Sequence, residues 1–167
     1  MRIRPRFALW IVLLPLVVSC AKHPRLTAPP KPVQAHLTIV TSSDLNPDAS
    51  GRPSPVVVRL YQLKGDDAFA GAEFFGLFDD EQRALGAELL TRSEVVVSPS
   101  ERRTLNLTVA PDAHFVGALA AFRDIRNAQW RVVVPTWREG SRDVVVSIER
   151  ARVRATVSGS STPATGE

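Results

Sequence analysis

The chain has 167 residues, 44% of them hydrophobic and 23% charged, with a formal net charge of +4 and a single cysteine. This length can bury one hydrophobic core, usually as a single domain, and one thiol excludes an internal disulfide, so packing must hold the fold. The basic balance is no argument for nucleic-acid binding: Arg2, Arg4 and Arg6 lie in the first nineteen residues, without which 148 residues carry a net charge of +1.

Residues 1–19 have the layout of an export signal, with those arginines ahead of an apolar run from Phe7 to Val18 and a small residue, Ser19, at the junction. The run is too short to cross a bilayer, which takes about 20 residues, and is read as a segment to be removed. Val17-Val18-Ser19-Cys20 resembles the lipobox cut by bacterial lipoprotein signal peptidase. That resemblance implies diacylglycerol on the Cys20 sulfur and an acyl chain such as palmitate on its freed amine, with no other cofactor. Two or more chains hold a protein stably on a membrane, at about 0.8 kcal/mol per buried CH₂. Sorting of Gram-negative lipoproteins retains those with Asp after the Cys in the inner membrane; Ala21 here implies the periplasmic leaflet of the outer membrane.

Residues 20–33 read as the lipidated Cys and a tether. Pro24, Pro29, Pro30 and Pro32 favour extended polyproline II, whose rise of about 3.1 Å per residue lets the tether hold a domain up to roughly 40 Å from the membrane.

From 34 to 157 short β-rich runs alternate with turns. Expected strands are 35–42, 56–63, 89–97, 104–109, 115–123, 129–134, 144–150 and 152–157, about eight, spaced as in an all-β sandwich. Leu105, Leu107 and Val109 alternate with polar residues, as in a strand with one face buried. Phe115 to Phe122 is apolar on both faces and reads as a central strand. Residues 66–86 break the pattern and read as a helical insertion: Asp66 and Asp67 cap a first helix ending near Gly76, and Asp79 with Gln82 suggests a capping box before a short turn that stops at Gly86. Phe69, Phe74, Phe75, Leu77 and Phe78 are too many large apolar side chains for a free surface helix, so the insertion should pack on an open edge or face of the sandwich. The end, 158–167, is poor in apolar residues and reads as a disordered tail.

Catalytic chemistry is hard to find. His23, His36 and His114 are scattered, whereas a metal site needs three or four converging ligands. No G-x-S-x-G nucleophile motif and no phosphate-cradling glycine loop occurs. Charge is uneven: residues 64–94 carry −5 and residues 123–154 carry +4, which reads as two solvated faces attracting each other within the fold, or as a field that steers a partner.

The loop 43–55 stands out, because it is longer than a hairpin needs yet built for rigidity. Pro47, Pro53 and Pro55 fix φ, Asn46 and Asp48 can close side-chain turns, and Gly51 permits a positive φ. A prearranged loop loses less entropy when a partner binds.

Leu45-Asn46-Pro47-Asp48, the run Arg52-Pro53-Ser54-Pro55-Val56-Val57-Val58-Arg59-Leu60-Tyr61-Gln62-Leu63, then Phe74-Phe75-Gly76-Leu77-Phe78-Asp79-Asp80, Leu85-Gly86, Phe122-Arg123-Asp124 and Ala128-Gln129-Trp130-Arg131 together resemble the TssJ family of type VI secretion lipoproteins. The resemblance implies a transthyretin-like two-sheet β-sandwich with added helices and no enzymatic activity. It implies binding to the periplasmic C-terminal region of TssM, an inner-membrane-anchored protein, and through it an indirect link to TssL. It also places the partner contact in the loop between the first two strands, here Leu45, Asn46, Pro47, Asp48, Arg52 and Pro53. A different class, a transthyretin-like periplasmic ligand carrier or hydrolase, would require convergent polar residues in a pocket.

Overall fold

The computed structural model describes residues 33–135 and 143–158. The expected signal peptide, Cys20, nearly all of the tether and the tail beyond Ser158 lie outside the described residues.

Within them the eight expected strands are present and form two four-stranded sheets. They are β1 Val33–Thr41, β2 Val56–Leu63, β3 Leu89–Val97, β4 Arg102–Val109, β5 Phe115–Ala120, β6 Arg131–Pro135, β7 Asp143–Glu149 and β8 Arg152–Ser158. One sheet has the order β4-β1-β7-β8 and the other β3-β2-β5-β6. Only β1 and β7 pair in parallel, from His36 opposite Asp143 to Thr41 opposite Ile148; the other neighbours are antiparallel.

Alternation along each strand sends one set of side chains between the sheets. Leu37, Ile39, Val144, Val146, Ile148 and Val153 from one sheet meet Val56, Val58, Leu60, Val97, Val116, Ala118 and Ala120 from the other. Burying a Val, Leu or Ile side chain contributes about 1.5–3 kcal/mol, so this layer is the main source of stability.

The second sheet is buried on its outer face too. There the insertion forms three short helices, α1 Asp67–Gly71, α2 Phe74–Asp79 and α3 Glu81–Leu85, then a 3₁₀ turn at Gly86–Glu88. Phe69, Leu77 and Leu85 pack on Tyr61, Leu63 and Leu119. This explains why β2 and β5 are apolar on both faces. Gly117 in β5 leaves the space that Phe69 fills, since a Cβ there would stand 2.9 Å from the ring. Phe74 meets Trp130 edge-on with ring centroids 5.3 Å apart and stacks on Phe78, while Phe75 is 63% exposed. Arg59 of β2 ties the helices down: its guanidinium lies over the Phe78 ring, donates to the Phe78 carbonyl at 2.6 Å and pairs with Glu94 at 2.7 Å.

Several boundaries differ from expectation. The first helix stops at Gly71 because Ala72 and Glu73 are extended, and the segment expected to continue it becomes a separate helix. The capping residue of α3 is Asp80, which accepts from the Arg83 amide, in place of Asp79. Strand β5 ends at Ala120, not 123, where the Phe122 amide turns back to the Ala120 carbonyl. Val33 belongs to β1 rather than to the tether. The acidic segment does not pair with the basic one. Among the described residues its ion pairs run to Arg59 and Arg92, and the basic segment meets the helices through Arg131, which donates to the carbonyls of Phe69 and Ala72.

This topology fixes two opposite ends. β1 starts at Val33 and delivers the chain into the 43–55 loop at its other end; nine residues at about 3.3 Å each separate the two by roughly 30 Å. The loop's neighbours at that end are the turns after β5 and between β7 and β8.

Candidate docking site

The loop is built from the inside outward. Leu45 is fully buried and belongs to the core between the sheets. Asn46 follows with φ of +46°, the left-handed region that Asn tolerates better than most residues, and is only 4% exposed. Its amide donates to the Arg150 carbonyl at 2.7 Å. Its Nδ2 donates to the Pro55 carbonyl at 2.9 Å, and its Oδ1 accepts from the Arg123 amide at 2.9 Å. The Ser54 hydroxyl donates to the Asn46 carbonyl at 2.5 Å. One residue thus joins the loop to two turns that lie 77 and 104 positions away in the chain.

Beyond this brace, residues 48–52 close on Asp48. Its Oδ1 accepts from the amides of Ser50 and Arg52, at 2.8 and 3.0 Å, its Oδ2 pairs with Arg52 Nε at 2.9 Å, and Gly51 takes the positive φ of +77° that the turn requires. The Arg52 amide, against a smaller opposing effect of partial burial and with help from the Arg52 side chain, holds the Asp48 carboxyl below the usual carboxylate range. Asp44 is lowered as well, first by the Ser42 hydroxyl, which donates to it at 2.6 Å.

The six expected contact residues therefore divide. Leu45 and Asn46 point inward and hold the loop, so they do not form the contact surface; their burial follows from long-range packing that local spacing does not reveal. Pro47 and Asp48 are half-buried, and Arg52 and Pro53 are exposed. Pro47 and Asp48 also line an open concavity of about 390 Å³, whose other walls include Ala49, Arg123, Asp124, Arg150 and Ala151. Arg123 and Arg150 were not among the expected residues. The motif Phe122-Arg123-Asp124 was a signal for the first; only the hairpin after β7 brings in the second, where Arg150 itself has φ of +37°. Phe122 is 5% exposed and anchors its turn in the core. Among the described residues no group of three or more His, Cys, Asp or Glu side chains is placed to hold a metal.

The same sandwich occurs in solved structures. The type VI secretion lipoprotein TssJ1 from Pseudomonas aeruginosa aligns with a TM-score of 0.71 at 29% identity, over 77% of this chain and 98% of that chain. Lip from Serratia marcescens, a membrane-bound component of the type VI secretion system, aligns with a TM-score of 0.67 at 23% identity, over 75% and 96%. A chain in a structure named for the C-terminal domain of the type VI secretion protein TssM from EAEC aligns with a TM-score of 0.61 at 24% identity, over 74% and 97%. No curated protein sequence matches the chain. Residues 33–151 match the family model described as type VI secretion lipoprotein, VasD, EvfM, TssJ: the chain belongs to this family of lipoproteins.

Proposed function

We propose that this lipoprotein is a structural, non-enzymatic link in the type VI secretion membrane complex. Acyl chains on Cys20 hold it in the periplasmic leaflet of the outer membrane. The loop 43–55 captures the periplasmic C-terminal region of a TssM-type protein anchored in the inner membrane, and through it TssL.

The observation that carries this reading is the placement of the braced loop at one end of β1 while the tether enters at the other. Load taken up by the loop passes to the lipid along the covalent backbone of that one strand. Hydrogen bonds to β4 on one side and β7 on the other hold the strand laterally, so the inter-sheet core need not open under tension. A mobile loop would lose conformational entropy on capture; the network around Asn46 and Asp48 removes most of that loss beforehand.

Two separable defects test it. Cys20→Ser should leave the domain folded but free it from the outer-membrane fraction. Shortening residues 47–53, with Asn46 retained, should leave the protein anchored and folded but unable to co-purify with the TssM periplasmic region. Normal co-purification of the shortened protein would reject the loop as the docking element.

A further inference from the structure

The walls of the concavity are unequal in hydrogen-bonding capacity, and this names the chemistry of what enters it. The carboxylates around it are already occupied from within. Asp48 accepts from two amides and the Arg52 guanidinium, Asp44 from the Ser42 hydroxyl, and Asp124 from Asn127 Nδ2 through both oxygens. The guanidinium groups are not. Each has five N–H donors, of which Arg123 commits its Nε to Ser54, and Arg150 approaches Asp44 only at 3.8 Å with its side chain 66% exposed. Arg126 and Arg152 lie exposed at the same end, with no ion-pair partner among the described residues, against Glu149, likewise without one. The basic segment keeps its charge for this surface because the acidic segment is neutralised elsewhere, by Arg59 and Arg92.

We infer that the element seated in the concavity is an acidic segment of the protein partner, its carboxylates clamped by the side chains of Arg123 and Arg150, with Arg126 and Arg152 steering its approach. The inference rests on the docking role proposed for the loop. Carboxylate is the matching acceptor for a guanidinium fork. Pro47, Ala49 and Ala151 supply the apolar floor that strengthens such pairs when water is excluded. A phospholipid headgroup offers similar acceptors, but this end lies roughly 30 Å along β1 from the point where the tether enters, facing away from the anchoring leaflet.

The test uses the full-length acylated chain in detergent and the purified periplasmic region of the TssM-type protein. Arg123→Gln and Arg150→Gln should each weaken binding about tenfold, and the double reversal R123E/R150E by about a hundredfold or more, with thermal unfolding unchanged because the braces at these positions use backbone atoms. Affinity of the parent should fall steeply between about 50 and 500 mM salt, and that dependence should flatten in the double variant. Lys substitution of the partner's acidic residues should restore binding to R123E/R150E. If R123E/R150E binds normally while deletion of 47–53 abolishes binding, the acidic-segment inference is wrong and the loop assignment stands. If neither change affects binding, the docking site itself lies elsewhere. Binding of the non-acylated C20S chain to anionic phospholipid vesicles, lost in R123E/R150E, would overturn the protein segment in favour of a lipid surface.

Discussion

Replacing Asn46 should loosen the docking end more than its small size suggests. Asn46→Ala removes the bonds to the Pro55 carbonyl and the Arg123 amide, each worth about 1 kcal/mol where water can partly replace the lost partner. It also puts a Cβ-bearing residue without a compensating side chain at φ +46°, for about 1 kcal/mol more. The expected loss is about 3 kcal/mol. Asn46→Gly loses the same two bonds but adopts the left-handed conformation freely, so it should be less damaging by about 1 kcal/mol. Urea unfolding of both variants gives the totals, and amide exchange over 45–55 shows whether the loosening is local. Apparent affinity scales with the fraction of loops in the competent arrangement, so the Ala variant should bind the partner about tenfold or more weakly. If both variants unfold within about 0.5 kcal/mol of the parent, or if Ala and Gly are equal, the brace is not what orders the loop.

Three further outcomes follow from the packing and the titrating groups. Gly117→Ala should destabilise the fold by about 1–3 kcal/mol, because the added Cβ meets the Phe69 ring at 2.9 Å; adding Phe69→Ala should then cost clearly less than it does in the parent, and additive losses would refute the clash. Tyr61 is the only tyrosine, and burial, partly offset by its hydrogen bond with Arg59, pushes its hydroxyl up to about 12. A raised folded-state value means that this contribution to stability is whole below about 10 and fades as pH climbs toward the folded value. The phenolate absorbance should therefore appear only well above pH 10 or together with unfolding, and an ordinary titration near 10 would contradict the burial. Asp48 and Asp44 have the opposite sign: lowered carboxyls support the loop above about pH 4 and release it as pH falls further. Amide chemical shifts of Ser50 and Arg52 should change there while the core strands keep theirs; simultaneous loss of both would argue against an Asp48-centred turn.

Much of this was legible in the chain. Alternation placed all eight strands to within a few residues, the double-faced apolar run marked β5 as buried on both sides, and the aromatic cluster at 66–86 announced a helical cap on a sheet. The prolines and Gly51 pointed to a stiff loop. These signals are local: a side-chain period or a fixed φ is a property of a few consecutive residues.

Partnership between distant segments is not such a property. Period-2 alternation says which side chains face inward but not that β1 pairs in parallel with β7, nor that the helices are split at Ala72. The carboxylates of 64–94 found partners in β2 and β3 instead of the basic segment, because strand register, not bulk charge, sets which groups come within a few ångströms. The docking end shows the same division. Sequence alone chose the loop, whereas folding turned Leu45 and Asn46 inward to meet turns some hundred residues away, leaving Pro47, Asp48, Arg52 and Pro53 beside Arg123 and Arg150 as the surface that a partner can reach.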